Sequence, residues 1–307
     1  SFDASGNPVA IATGSDGQVL TSAGAGQPPA FEAAAAGVSV LGGLTDVSMD
    51  ISNFTDSLLI QTNSDGSAPT TGTLSSAIGN IGIGKAVFTA LTSGVDNVAI
   101  GNDALIANTT GSRNVAIGQE ALKANTTGNN QTALGQEALL TNTTGTQNTA
   151  VGKQALRLNT EGDHNTGLGY RTLFVNTTGD YNIAVGGRAL EANSTASNNT
   201  AVGFQSMYRT NTGANNVAVG FDSLYTNNTG ASNVAVGYNA LYTNSSASSN
   251  TALGFESLKL NTTGTFNTAV GAESLVSNTT GAYNDSFGRQ ALYSNTTGGD
   301  NSAFGNR

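Results

Sequence analysis

From Asn97 onward the chain repeats a seventeen-residue unit without a single insertion or deletion. Taking Asn97 as position one, units begin at 97, 114, 131, 148, 165, 182, 199, 216, 233, 250, 267 and 284, and one more breaks off at Arg307. A degenerate copy reads back to Asn80, with Gly84 and Gly94 in phase, giving thirteen full copies over 80–307. A fixed period near twenty marks a solenoid or an array, in which each unit buries its apolar face only against its neighbours.

Each unit carries two glycines in phase. Position five is glycine from Gly101 to Gly305, and position fifteen departs from glycine only at Ala196 and Ala247. They read as two corners, where the backbone takes positive φ or has no room for a Cβ. Position four is always Ile, Val, Leu or Phe, and position nine is Leu except for Met207. Both are expected to face inward. β-Branched residues punctuated by glycine favour strand over helix. The expectation is an all-β fold: a parallel β-solenoid or β-roll, each coil made of two short strands. Stacked at ~4.8 Å, the coils make a rod on the order of 60 Å long. Asn at position one (Gln131 excepted) and at position twelve (Thr210 excepted) reads either as amide ladders between coils or as turn residues bonded to their own backbone.

Composition narrows the class. The chain has 307 residues, 40 of them glycine, no cysteine, no tryptophan and only 10% charged residues. A net charge of −9 disfavours nucleic acid. No apolar run reaches the roughly 20 residues of a membrane helix, and the absence of cysteine excludes disulfides and thiolate metal sites. Ser1 and the break inside a repeat read as processed or trimmed ends, so no targeting signal is assigned. A core of about two apolar side chains per coil is thin against the entropy of ordering seventeen residues. Chains are therefore expected to pool their cores as a homotrimer, with the small residues at positions three and eight allowing close approach. End-to-end contacts between fibres are a further expectation.

Residues 1–79 form an N-terminal connector or anchoring segment, with strands expected over 38–44 and 57–61. Gly14-Ser15-Asp16-Gly17-Gln18-Val19-Leu20-Thr21-Ser22, then Gly26 and Pro28-Pro29-Ala30-Phe31, resembles a segment found before the shafts of bacteriophage tail-fibre proteins. Leu44-Thr45-Asp46-Val47 is similar to another such linker. Asn-Val-Ala-Ile-Gly-x-x-Ala, as at 114–121, resembles the head repeats of trimeric autotransporter adhesins, although the period here is longer and the Asn-Thr-Thr-Gly corner differs. That resemblance implies trimeric parallel β-rolls. The Asn-Thr-Ala-Val-Gly wording is also similar to repeats of phage and environmental fibre proteins.

Chemistry-bearing residues are few. His164 is the only histidine, at a corner, and reads as an exposed loop residue rather than a ligand or catalyst. Position seven holds Asp103, Glu120, Glu137, Asp222, Glu256 and Glu273, with Arg171 and Arg188 between them. Adjacent carboxylates such as Glu120/Glu137 can gather a hard cation or imitate a glycosidase acid pair; a solvated polar face explains them more simply. Neither catalytic, metal nor cofactor-binding residues are assigned. Position six is Phe204, Phe221, Tyr238 and Phe255 in consecutive units, and position ten is Tyr208, Tyr225 and Tyr242. These rings read as a cross-coil ladder or assembly seal, or as a platform for the sugar rings of a cell-surface glycan. Asn-x-Ser/Thr sequons at Asn108, Asn125, Asn142, Asn176, Asn193, Asn227, Asn244, Asn261, Asn278 and Asn295 are candidate glycosylation sites on one edge.

The functional expectation is a structural fibre shaft of a virion tail or neck, non-enzymatic, that spaces and presents host-attachment elements. The alternative is a microbial cell-surface or extracellular adhesin filament. Ice binding needs a regular Thr array, which position two (Val98, Thr149, Ile183, Asp285) does not supply.

Overall fold

A computed structural model describes residues 18–21, 30–33, 47–51, 54–60, 71 and 74–306. Strands β1 (Gln18–Thr21) and β2 (Ala30–Ala33) pair antiparallel. β3 (Val47–Ile51) pairs antiparallel with β4 (Phe54–Ile60). β4 then pairs in parallel with β5 (Ala77–Ile78) and β6 (Ile81–Ile83), so the parallel stack begins upstream of Asn80. The strand expected at 57–61 coincides with β4 as far as Ile60, whereas residue 61 and 38–44 fall outside the described residues.

From β7 (Val98–Ile100) to β19 (Ser302–Phe304) each coil contributes one three-residue strand, paired in parallel with the next at a constant offset of one repeat. The chain is an all-β parallel solenoid, and no helix occurs among the described residues. Amides run along the axis: Val98 N–H donates to Asn114 O (2.8 Å), and Gly101 N–H to Ile83 O (2.8 Å).

Three expectations fail inside the coil. A second strand is absent, because positions seven, nine and seventeen hold left-handed backbone: in the first unit Asp103 at φ 59°, Leu105 at 49° and Arg113 at 58°. The same three positions repeat this in every full unit. A strand's two-residue alternation cannot survive such residues, and position eight, between the left-handed positions seven and nine, turns inward. Position four does not face inward either. In the strand it is position three that is buried, as at Ala99 and Ala116, and positions two and four that lie outside. The small residues expected at a chain–chain contact therefore line the interior of their own coil, Ala104 and Ala121 at position eight among them.

Position nine is the core residue expected, with Leu105, Leu122 and Leu139 fully buried. Beside it pack the alanines of positions three and eight, and the remainder of the interior is polar and ordered. At position one Asn114 N–H donates to Asn97 Oδ1 (3.0 Å), and Asn97 Nδ2 donates to Asn80 Oδ1 (2.9 Å). At position twelve Asn125 Nδ2 donates both to Asn108 Oδ1 (2.9 Å) and to Gly128 O in its own turn (3.1 Å). The ladder and the turn readings of these asparagines thus describe one arrangement. Gln131 keeps the first ladder through its longer arm: its N–H donates to Asn114 Oδ1 (2.9 Å), and its Oε1 accepts from Asn148 N–H (3.1 Å).

The two corner glycines have different causes. Position five has positive φ, and a Cβ on Gly118 (φ +138°) would lie 2.5 Å from Gly135 O. Position fifteen has no such φ; there a Cβ on Gly111 would meet Asn108 Oδ1 at 2.4 Å and Gly128 O at 2.5 Å.

Candidate functional site: the outer face of the rod

Since the interior is committed to ladders and Leu–Ala packing, any recognition belongs to the outward positions, which are two, four, six, seven, ten and eleven together with fourteen and seventeen at the second corner. Positions two and four form the outward side of the parallel sheet. Ile, Val, Leu and Thr there leave a continuous apolar strip, with Leu134, Leu168, Ile183, Val217, Val219 and Leu253 all more than a third exposed. Monomeric proteins rarely carry contiguous apolar patches of this extent.

The aromatic residues stack along the rod. Phe204, Phe221, Tyr238 and Phe255 follow one another at 5.6, 5.6 and 5.5 Å between ring centroids, and Tyr208, Tyr225 and Tyr242 at 5.2 and 5.0 Å. With interplanar angles of 22° or less, inner ring faces are turned to each other. Such a stack offers edges to solvent and an open face only at its ends, which removes the geometry a sugar platform along its whole length would need. Between the two stacks, Asp222 Oδ1 and Asn239 Oδ1 are buried without a hydrogen-bond partner, and burial raises the Asp222 carboxyl above its ordinary range.

Four of the six position-seven carboxylates, Asp103, Glu120, Glu137 and Glu256, are held by cations. Lys123 Nζ bonds Glu120 (2.8 Å) and Asp103 (3.3 Å), Arg157 Nε bonds Glu137 (2.5 Å), and Lys259 Nζ bonds Glu256 (2.7 Å). The Arg157 hydrogen bond lowers the Glu137 pKa, and the Glu120 bond raises that of Lys123. Glu273 is bonded by Gln290. Paired acids free to take a cation are therefore not what the coils present. Among the described residues no group of three or more His, Cys, Asp or Glu comes together. His164 is exposed in left-handed backbone and stacks on Tyr181 at 4.8 Å.

The sequons lie inside. Asn108, Asn125, Asn142, Asn176, Asn193, Asn227, Asn244, Asn261 and Asn278 are fully buried, and their amides lie along the position-twelve ladder. Only Asn295, in the last full unit, is partly exposed. A glycan on the folded coil has no space at the buried nine, which corrects the expectation of a glycosylated edge. Sequence patterning places position twelve at a turn, but not on which side of the turn the amide falls.

Glu191, which the repeat pattern did not single out, joins Arg171 and Arg188 here. Glu191, 6% exposed, receives Arg171 Nη2 (2.8 Å) from the coil before and Arg188 Nε (3.3 Å) from its own. Arg171 also lies over the Phe174 ring, 4.1 Å from its centroid. The signal was present as the only acid at position ten, opposite two arginines at position seven.

No protein-family model, curated protein or solved structure matches this chain. What it does must be argued from its own surfaces.

Proposed function

We propose that the chain is a non-enzymatic rod segment that associates with further copies of itself through the strip at positions two and four, as a homotrimer, and spaces attachment elements along a virion fibre. The observation that carries this is the apolar strip itself: β-branched and leucine side chains run outside a parallel sheet whose inner side is alanine. Covering it removes apolar surface from water at about 25 cal/mol per Å², which supplements an interior built largely of small residues and amides. The resemblance of residues 14–31 to phage-fibre connectors favours a virion over a cell-surface filament, the second setting the same rod would suit.

Mass in solution under native conditions tests the association, with three chains expected. A folded monomer at micromolar concentration would end this reading. Val217→Lys with Val219→Lys should dissociate the assembly while leaving the far-ultraviolet circular dichroism of the coils unchanged.

A further inference from the structure

The outer face is not uniform in charge. In the four units beginning at 148, 165, 182 and 199, positions six to eleven carry Lys153, Arg157, Arg171, Arg188 and Arg209. At those positions only Glu191 opposes them, while Glu161, Asp163 and Asp180 lie at positions fourteen and sixteen of the same units, and Glu137 of the preceding unit holds Arg157. Five of the chain's eleven Lys and Arg residues thus concentrate on one side of four coils, in a protein of net charge −9.

The aromatic ladder has a gap inside this segment. Tyr170 and Phe204 occupy position six two coils apart, each 47% exposed, and the residue between them is Gly187. Two coils are ~9.6 Å, so one ring-thick layer is missing between Tyr170 and Phe204. A Cβ on Gly187 would meet only Phe204, at 3.4 and 3.6 Å, so the glycine is not imposed by crowding or by positive φ. Its neighbours on the position-seven column are Arg171 and Arg188, and the buried Arg171 Nε has no hydrogen-bond partner.

We infer that this gap is a binding site for one ring of an acidic polysaccharide. The apolar face of the sugar would enter at Gly187 and pack on Phe204 and Tyr170, where a ring face is open. Its carboxylate or sulfate groups would be received by Arg188, Arg171 and, further along the rod, Lys153 and Arg209. Guanidinium groups suit such anions because their planar donors match two oxygens at once. Nucleic acid fits less well: the five cations of these four coils share them with Glu161, Asp163, Asp180 and Glu191, so few phosphates are neutralised within an acidic chain. The inference rests on the outer face of a single chain, so it stands or falls apart from self-association through positions two and four.

The test is calorimetric titration of the full chain with a short oligogalacturonate, a sulfated galactan oligomer and a neutral galactan oligomer. At least one acidic oligomer should bind, more weakly as salt rises, and the one that does identifies the acidic group; the neutral oligomer should not. Gly187→Phe completes the aromatic ladder with a residue that position six already accommodates at 204, 221 and 255. It should preserve thermal stability and reduce affinity about tenfold or more. Lys153→Gln with Arg209→Gln, outside the Glu191 ion pairs, should weaken binding about fivefold and flatten its salt dependence. The inference is overturned if neither acidic oligomer binds, if the neutral one binds equally, if Gly187→Phe leaves affinity intact, or if an oligonucleotide of the same charge binds as tightly.

Discussion

The inner seam and the outer face of this rod obey different rules although they share every coil. Inside, positions one, three, eight, nine, twelve and fifteen are nearly fixed, because each side chain touches its own copy one coil away. A change at any such place is met by two identical neighbours, above and below. Outside, position six runs through Asn, Gln, Lys, Tyr, Gly, Phe, Ala and Arg, and position seven carries both signs of charge. Stacking thus separates a seam that specifies the fold from a face on which local differences can accumulate.

The sharpest break to this contrast comes from the corner at position five. Gly118→Ala would place a Cβ 2.5 Å from Gly135 O on a residue at φ +138°. Backbone strain and overpacking together should destabilise the coil by about 3–5 kcal/mol. Amide hydrogen exchange, which resolves local opening in a repeat array, should show lost protection centred on units 114 and 131. Unchanged protection would mean that the corner is not a backbone constraint.

Next in size is Leu139→Ile. Swapping these isomers in an ordinary core usually costs less than about 1.5 kcal/mol. Leu139, however, sits at φ 52°, where a β-branched residue is a steric outlier. A loss of about 2–3 kcal/mol in thermal or denaturant unfolding is expected, close to that of Leu139→Ala. An effect below 1 kcal/mol would show that the left-handed backbone at position nine carries no strain.

This residue also shows what was legible in the sequence. Period, parallel stacking, the Leu core and the Asn ladders follow from counting, because a stacked coil turns each fixed position into a column. The number of strands per coil did not follow, since Leu at position nine was read for its apolarity alone. The overlooked signal is an omission: Val, Ile and Thr never occur at positions seven, nine or seventeen of the full units. That omission marks left-handed backbone without glycine. The outer face was legible in part. Ring spacing gave the stacks, but the Arg171–Glu191–Arg188 group depends on which coil each side chain leans toward, and a repeat pattern holds no such information.

Smaller effects test the seam's tolerance for compensation. Gly167 is the one glycine at position three in the units from Asn97 onward, and the same unit has Thr172, the one threonine at position eight. A Cβ on Gly167 would meet Thr172 Oγ1 at 2.8 Å. Gly167→Ala should cost about 1–2 kcal/mol, and adding Thr172→Ala should recover most of it. Additive losses in the double variant would refute the coupling.

At Thr210 the seam itself is interrupted. The position-twelve ladder stops there, leaving Asn193 Oδ1 and Thr210 Oγ1 buried without partners. Thr210→Asn should restore a donor to Asn193 and an acceptor for Asn227 Nδ2, raising stability by about 1–2 kcal/mol. An unaltered or lower melting temperature would mean that the interruption is already relieved by other means.

The smallest expected effect lies on the outer face and depends on pH. Burial raises the Asp222 pKa in the folded coil, so folding favours its protonated form. The corresponding stability is present below the ordinary carboxylate range and is lost as pH rises through the raised folded value. Asp222→Asn keeps the shape, removes the charge, and offers Asn239 Oδ1, unpartnered one coil along, a donor. The variant should melt above the parent at neutral pH by the worth of about one hydrogen bond, roughly 0.5–1.5 kcal/mol. Most of that advantage should disappear in acid, where the parent's own carboxyl becomes a donor. Glu137, whose pKa Arg157 lowers, has the opposite dependence: its contribution is present above the ordinary range and lost as pH falls. Because Glu137 is common to both proteins, its titration cancels in the difference between them. A difference that stays constant with pH would assign the gain to the new hydrogen bond alone and would exclude a buried charge at Asp222.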